Sequence, residues 1–202
     1  MSVTALAGLL GSGKSSVVRE LGSLAPYVAG FVEPEEPDYP SFVSQGVEDP
    51  FGVHSWFRAS RVYNLSLAQA ASIEGSIAVV DSYYDRMLST YVDHDAFDWI
   101  LGGKESYREI LRSLSRVDRR ELPSVDRLIF LHVEEQDWRM RIRARMRDQD
   151  RILRIADRFA MQRPMVQACE EIAQLDGCEL VILQTTGRSV REVAALIRDA
   201  IS

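Results

Sequence analysis

One short segment carries the clearest chemical signal in the chain. Residues 8–15 read Gly-Leu-Leu-Gly-Ser-Gly-Lys-Ser, which matches the G-x-x-x-x-G-K-[ST] pattern of a phosphate-binding loop. A strand-like apolar run (residues 3–9) leads into the segment, and a helix-compatible run (residues 16–21) follows it. In such a loop the backbone N–H groups face the phosphates, the lysine reaches the β- and γ-phosphates, and the next hydroxyl ligates Mg²⁺. We therefore predict that ATP and Mg²⁺ bind through Gly8, Gly11, Ser12, Gly13, Lys14, Ser15 and Ser16.

Two carboxylates stand where predicted strands end. Glu33 follows the run 28–32, and Asp81 follows the continuous apolar run 77–80. In a sheet of parallel strands the ligand lies at the carboxyl ends of the strands. A carboxylate there can accept the proton of an acceptor hydroxyl during in-line phosphoryl transfer, or can hold Mg²⁺. We predict that Glu33 is the base and that Asp81 holds the metal with Ser15 or acts on the acceptor. An acidic surface loop and a structural aspartate are the respective alternatives.

Short β-type runs alternate with longer helical runs along the whole chain. Residues 127–133 and 179–183 are the fourth and fifth predicted strands. This alternation is typical of a parallel sheet covered by helices on both faces. Residues 33–50 contain four prolines and are predicted to form a loop. Pro164 is expected to kink or divide its helix. Helices are predicted at residues 55–73, 84–90, 104–117, 137–146, 152–175 and 189–201.

Arginine is concentrated in one stretch after the fourth predicted strand. Eight arginines lie between residues 139 and 158, whereas lysine occurs only at positions 14 and 104. Like charges on one helix repel each other unless an anion is bound. Arg139 and Arg143 share one helical face, and Arg141 and Arg145 share another, so both faces cannot meet the phosphates. We predict that Arg141, Arg145 and Arg151 contact the phosphates and that Arg139 and Arg143 are solvated.

Several short motifs along residues 3–197 resemble those of thymidylate kinases and deoxynucleoside kinases. The Glu-Pro step at residues 33–34 resembles the E-P step of both families, whose glutamate is the base in deoxynucleoside kinases. The arginine-rich stretch resembles their R-I-x-x-R…D-R lid, which closes over the triphosphate, excludes water and stabilises charge. The resemblance implies an α/β, three-layer P-loop kinase fold in one domain (residues 1–202). It also implies a five-stranded parallel sheet of order 2-3-1-4-5 and a lid at about residues 139–158.

The same resemblance implies where the acceptor and the adenine bind. Residues 57–61, Phe-Arg-Ala-Ser-Arg, resemble an F-x-A-x-R step whose arginine addresses the pyrimidine base. That role falls to Arg61, with Trp56 or Phe57 as an apolar wall; a solvated helix arginine is the alternative. Thr186 lies where this family grips adenine, although a plain turn explains its segment equally well. Residues 81–85, Asp-Ser-Tyr-Tyr-Asp, resemble D-R-Y-x-D-S and imply an acceptor pocket lined by Tyr83, Tyr84 and Asp85, of which Tyr84 could equally be core.

Two positions depart from the thymidylate kinase pattern. That family carries an arginine just before E-P and another just after the aspartate that matches Asp81, and both contact the acceptor's own phosphate. Here the two positions hold Val32 and Ser82. A dianion in a closed site needs charged partners, so a nucleoside monophosphate is a poor acceptor unless Arg58, Arg86 or a lid arginine substitutes. We therefore predict a kinase that transfers the γ-phosphate of ATP to a hydroxyl of a nucleoside or nucleoside-like acceptor.

The composition limits the partners that the protein can have. The formal net charge is −6, which disfavours a protein that coats nucleic acid by charge alone. No apolar run approaches the roughly 20 residues that span a bilayer. The two cysteines lack metal-ligand spacing, and cleavage of a signal peptide would destroy the phosphate-binding loop, so a cytoplasmic setting is expected. The expected partner is a small-molecule acceptor without membrane association, and analogy with similar kinases admits a homodimer.

Three other functions stay open at the level of the sequence. One is a thymidylate or other nucleoside monophosphate kinase. The second is a polynucleotide kinase acting on a hydroxyl in DNA or RNA, including a modified base, for which the arginine-rich stretch would serve the strand. The third is a non-kinase regulatory protein that binds a nucleoside triphosphate; a GTPase is disfavoured because no N-K-x-D step is present.

Overall fold

Five parallel strands form the centre of the molecule. A computed structural model describes residues 2–44, 50–95, 97, 105–145 and 158–202. The strand order is β2-β3-β1-β4-β5, and every pair is parallel. This order confirms the predicted fold class. The strands are β1 (Ser2–Ala7), β2 (Val28–Phe31), β3 (Ile77–Val80), β4 (Arg127–His132) and β5 (Glu179–Gln184).

Helices cover both faces of this sheet. Within the described residues they are α1 (Lys14–Leu24), α2 (Ser41–Ser44), α3 (Pro50–Ile73), α4 (Tyr84–Tyr91), α5 (Glu105–Glu121), α6 (Glu135–Arg145), α7 (Gln162–Asp176) and α8 (Val190–Ile201). Helices α1 and α8 cover one face, where Leu6 and Ile129 point. Helices α3, α4, α5 and α7 cover the other, where Ala5 and Phe130 point. Alternate residues of the central strands enter opposite layers, which explains why β3 and residues 128–131 of β4 are continuous apolar runs.

The structure corrects two predicted boundaries. The stretch from Glu33 to residue 50 is not all loop, because it contains a 3₁₀ turn (Glu36–Asp38) and α2, and α3 begins at Pro50. Pro164 does not kink a helix: it lies in the first turn of α7, where its missing N–H costs no intrahelical hydrogen bond. The predicted start of that helix at residue 152 and most of the lid segment, residues 146–157, lie outside the described residues.

The last helix illustrates a boundary that local sequence determines. Ser189 caps α8 by accepting a hydrogen bond from the backbone N–H of Glu192, and Glu192 accepts one from the backbone N–H of Ser189. This capping box satisfies two N–H groups at the helix start. Among the described helices, none has the length and apolar character that a membrane crossing requires.

Candidate active site

The phosphate-binding loop runs from the end of β1 into the first turn of α1. Lys14 heads the helix, and its Nζ donates to the carbonyl oxygens of Gly8 and Leu9, at 3.0 Å each. The Ser12 hydroxyl is buried and has no hydrogen-bond partner among the described residues. At Gly8, which has φ 144°, a Cβ would lie only 3.0 Å from the Leu131 carbonyl oxygen, so only glycine fits. The loop therefore has the tight backbone path that the motif predicts.

Asp81 joins the loop to the end of β2. Its Oδ2 accepts a hydrogen bond from Ser15 Oγ at 2.5 Å, and its Oδ1 accepts one from the backbone N–H of Glu33 at 3.0 Å. One buried carboxylate thus holds the two predicted halves of the site together. A hydroxyl and a carboxylate are the hard oxygen ligands that Mg²⁺ prefers, so Ser15 and Asp81 fit the predicted metal.

The central groups of the site strongly affect one another's ionisation. Burial and the Glu33 carboxylate raise the pKa of Asp81 to about 6. Burial lowers the pKa of Lys14; Glu33 and Asp81 oppose that shift, whereas Arg145 and Arg61 add to it. The lysine, the two carboxylates and these arginines therefore lie close enough to interact electrostatically. Groups that shift one another's pKa values in this way are typical of functional sites.

Arg61 lies between two carboxylates. Its Nε and Nη2 donate to Asp85 at 2.6 and 2.8 Å, and its Nη1 lies 3.4 Å from Glu33 Oε1. The guanidinium carbon is 5.0 Å from the ring centre of Tyr84. Burial alone would lower the pKa of Arg61, but the carboxylates of Asp85 and Glu33 outweigh it and raise the pKa. The solvated alternative for Arg61 is therefore excluded, and Glu33, Arg61, Tyr84 and Asp85 do come together.

Arg58 and Arg86 could replace the arginines that are absent at positions 32 and 82 only if they were free, but both already bind carboxylates. Arg58 binds Asp118 through both Nε and Nη2. Arg86 binds Asp176 in the same bidentate way and also donates to the Leu122 carbonyl oxygen. Neither guanidinium is thus positioned as a free phosphate ligand.

The hydroxyl of Tyr83 has partners that the sequence did not indicate. Its side chain is buried, and its hydroxyl donates to Asp176 at 3.2 Å and to the Pro123 carbonyl oxygen at 3.4 Å. These contacts brace the start of α4 against the end of α7, and the role of Tyr83 in the acceptor pocket stays a prediction. Sequence spacing could not reveal this, because the partners lie 40 and 93 residues away.

Trp56 and Phe57 form an aromatic cluster on α3. Their ring centres are 4.9 Å apart, and Tyr39 packs edge-on against both, at 5.6 and 5.4 Å. Both side chains are half-buried. Their role as a wall for the acceptor stays a prediction.

His54 is a residue of this region that the sequence reasoning missed. It lies two helical turns before Arg61 on α3, with its ring 5.9 Å from that of Tyr84. Its Nε2 is buried and has no hydrogen-bond partner within the described residues. Burial, followed by the charge of Arg61, lowers the pKa of His54 to about 4, so the imidazole is neutral at pH 7. Its spacing of seven residues from Arg61 was the signal that could have revealed it.

Arg141 and Arg145 both approach the phosphate-binding loop. Arg141 donates to the carbonyl oxygens of Ser12 (3.2 Å) and Thr185 (2.7 Å) and pairs with Asp137. It therefore ties the phosphate-binding loop to the end of β5, and its contact with the phosphates stays a prediction. Arg145 approaches the loop, with its Nη1 3.8 Å from the position of a Cβ on Gly11.

The other residues predicted for the arginine-rich stretch and the adenine site are Arg139, Arg143, Arg151 and Thr186. Arg139 pairs with Glu135 one turn before it, as expected for a solvated helix surface, and Arg143 is exposed. Arg151 lies outside the described residues. The Thr186 hydroxyl accepts a hydrogen bond from the backbone N–H of Glu134 at 2.8 Å, so it links the loops after β4 and β5. Its contact with adenine stays a prediction.

The fold and the site together define a class: the chain has the P-loop kinase fold. Solved structures that share it include two of one deoxyadenosine kinase and one of a thymidylate kinase. Deoxyadenosine kinase from M. mycoides with products dCMP and a flexible dCDP bound is 15% identical, with a TM-score of 0.69 over 98% of this chain and 97% of that one. The same enzyme with bound dATP is 15% identical, with a TM-score of 0.70 over 99% and 98%.

Thymidylate kinase from Candida albicans is the third structure. It is 17% identical, with a TM-score of 0.59 over 99% of this chain and 90% of that one. Neither a family model nor a curated protein matches the chain. The likeness therefore lies in the fold, and it confirms the predicted resemblance to the nucleoside and nucleotide kinase architecture.

Proposed function

We propose that this protein is a kinase that transfers the γ-phosphate of ATP to a hydroxyl of a nucleoside or nucleoside-like acceptor. The observation that carries the proposal is the bridge made by Asp81, which accepts hydrogen bonds from Ser15 of the phosphate-binding loop and from the backbone of Glu33. A donor site and a carboxylate base are thereby held at the same end of the sheet. That is the arrangement that in-line transfer to a hydroxyl requires.

On the donor side, the chain supplies charge and N–H groups. Lys14 leaves its carbonyl partners in part to meet the β- and γ-phosphates, and Arg145 adds a second positive charge close by. Ser15 and Asp81 would hold Mg²⁺, which neutralises charge on the phosphates when it is bound. Arg141 keeps the loop against β5.

On the acceptor side, Glu33 takes the proton of the attacking hydroxyl. Arg61 orients Glu33 through the 3.4 Å contact, and Asp85 fixes Arg61 in turn. Arg61 and Asp85 together offer N–H donors and carboxylate acceptors, the combination that the polar edge of a nucleobase needs. Tyr84, below Arg61, gives this corner an aromatic surface.

Because Arg58 and Arg86 are already paired with carboxylates, the site favours an acceptor without a phosphate. Val32 and Ser82 carry no charge, and Arg58 and Arg86 already satisfy Asp118 and Asp176. Positions 32 and 82, Arg58 and Arg86 therefore supply no cation to a second dianion on the acceptor, and burying a dianion beside Glu33 without a cation is costly. The proposal is thus a nucleoside kinase in preference to a monophosphate kinase.

The structural neighbours support the same class. The M. mycoides structures are of a deoxyadenosine kinase, with dATP bound in one of them. Their similarity extends over nearly the whole of both chains. An acceptor within DNA or RNA remains the alternative of a different class, and the net charge of −6 weighs against it.

A transfer assay tests the proposal. Purified protein is incubated with Mg-ATP and, separately, with ribo- and deoxynucleosides, their 5′-monophosphates and short oligonucleotides, and products are separated by ion-exchange chromatography. We expect ADP and a monophosphate to form with at least one nucleoside, and Glu33→Gln to abolish the product while ATP still binds. Rapid phosphorylation of dTMP with none of any nucleoside would overturn the assignment. Product only on oligonucleotides, with steep salt dependence, would indicate a polynucleotide kinase.

A further inference from the structure

The outer arm of the phosphate-binding loop is fastened to α6. Trp138, in the second turn of this helix, is fully buried, and its Nε1–H donates to the Leu10 carbonyl oxygen at 2.8 Å. One turn further on, Ile142 packs directly against Gly11, where even a Cβ would not fit. Three consecutive loop residues, 10 to 12, thus contact three side chains of one helix, because Arg141 holds the Ser12 carbonyl oxygen.

The carbonyl groups of the loop matter because they compete with its N–H groups. A loop that binds an anion must direct its N–H groups inward and its carbonyl oxygens outward. The carbonyl oxygens of Gly8 and Leu9 accept hydrogen bonds from Lys14, and that of Gly13 accepts one from Val17 within α1. The carbonyl oxygens of Leu10 and Ser12 are different, because their donors are side chains of α6 that lie 128 and 129 residues away.

We propose that Trp138 is a positioning residue, which turns the Leu10 carbonyl away from the bound phosphates and thereby sets the affinity of the loop for them. This inference rests on the proposed function, in that residues 8–15 bind the phosphates of ATP. A rotated Leu10 peptide would point its oxygen at the anion and remove one N–H group from it. The rotation would also leave the indole N–H buried without its acceptor, so the contact resists rotation from both sides.

The same contact links the loop to Arg145. Trp138 and Arg145 lie on one helix. Phe159 packs against the indole, with its ring centre 5.6 Å from that of Trp138. When the indole fixes Leu10, it also fixes the distance between the loop and the helix that carries Arg145. Trp138 therefore acts on the phosphate site through the backbone and the helix, without touching the phosphates.

Pyrophosphate binding, measured by calorimetry on the full chain, tests this role without requiring catalysis. Trp138→Phe keeps an aromatic ring and removes the N–H donor. We expect its dissociation constant for pyrophosphate to rise about fivefold to tenfold, the effect of one hydrogen bond to a constrained group. In steady-state assays, KM for ATP should rise while KM for the acceptor stays unchanged, a split that a general loss of stability does not produce.

Phe159→Leu is the matched packing control. It loosens the surroundings of the indole but keeps the hydrogen bond, so pyrophosphate should bind as in the wild type. Equal weakening in Trp138→Phe and Phe159→Leu would overturn the inference, because packing would then explain both. Should Trp138→Phe not fold, benzothienylalanine at position 138 replaces N–H by sulfur in the same shape, and it should weaken binding to the same extent.

The wild type separates the two proposals. A wild-type protein that binds neither pyrophosphate nor ATP contradicts the proposed function itself. A wild type that binds both, with Trp138→Phe binding equally well, contradicts only the role of Trp138.

Discussion

The donor half and the acceptor half of the site are built from different materials. The donor half consists mainly of backbone groups of residues 8–15, held by side chains that reach in from α6. The acceptor half consists of buried ion pairs between side chains on separate helices, above all Arg61 with Asp85 and Arg58 with Asp118. Loss of one side chain should therefore change stability little in the donor half, whereas loss of one member of a buried ion pair should destabilise the acceptor half strongly.

The largest effect is expected from breaking the acceptor half. Asp85→Ala leaves Arg61 buried with one partner fewer, because the side chains of both residues are less than a tenth exposed. Removing one member of a buried pair costs about 3–5 kcal/mol, so the free energy of unfolding in urea should fall by about that much. Arg112→Ala breaks exposed pairs with Asp93 and Glu105 and serves as the control, with a much smaller change because solvent screens such pairs. Equal losses in the two variants would contradict the comparison.

The opposite outcome is expected in the donor half. Lys14→Ala removes a cation that interacts with the transferred phosphate, so kcat/KM should fall about 100- to 1,000-fold, as for the loss of one group that stabilises transition-state charge. Stability should change little, because the cost of burying the ammonium group opposes its attraction to Glu33 and Asp81. Arg139→Ala, on the solvated face of α6, should leave kcat/KM unchanged. Full activity in Lys14→Ala would contradict the role of the phosphate-binding loop in phosphoryl transfer.

The two halves should also respond to pH in opposite directions. In the acceptor half, the folded-state pKa of His54 is about 4, against 6.5 for a free imidazole. As pH falls from about 6.5 to 4, the unfolded chain takes up a proton that folded His54 does not, and the folded state loses about 2–3 kcal/mol. His54→Gln should lack this loss, as urea unfolding at pH 7.5 and 4.5 would reveal. An identical slope in wild type and variant would contradict a buried neutral imidazole.

The smallest effect belongs to Asp81, in the donor half. Its folded-state pKa of about 6 lies above the 3.8 of a free carboxyl, so its contribution to stability is present below about pH 4 and is lost as pH rises to about 6. The free energy of unfolding of Asp81→Asn should therefore exceed that of the wild type by about 1–2 kcal/mol at pH 7.5 without Mg²⁺, and should equal it at pH 3.5. The gain is limited because an amide accepts the hydrogen bond from Ser15 more weakly than a carboxylate does. Unfolding curves of the two proteins at these pH values measure the gain. A variant destabilised at both pH values would contradict it.

The same contrast explains what the sequence could predict. Residues 8–15 followed from their own motif, and the positions of Glu33 and Asp81 followed from the rule that the ends of parallel strands gather. The strand order and the convergence of Arg61, Tyr84 and Asp85 were implied by the resemblance to thymidylate and deoxynucleoside kinases. Local motifs cannot show which partner a side chain will find 40 or 90 residues away. The sequence therefore did not predict that Asp176 binds both the Tyr83 hydroxyl and the Arg86 guanidinium.

The donor side gives an example of the same kind. The spacing of Arg141 and Arg145 predicts a shared helical face, but it does not predict that Arg141 donates to the Thr185 carbonyl oxygen, 44 residues away. His54, by contrast, lay within reach of sequence reasoning, since it is two helical turns from Arg61 on α3.

The measurement that tests the central claim most directly compares matched acceptors. The values of kcat/KM with Mg-ATP are determined for thymidine against dTMP and for deoxyadenosine against dAMP, with the same protein sample. With neutral residues at positions 32 and 82 and with Arg58 and Arg86 engaged elsewhere, the unphosphorylated member of at least one pair should be favoured about 100-fold or more, as expected when a dianion lacks a buried partner. A preference for the monophosphate in both pairs would contradict the account.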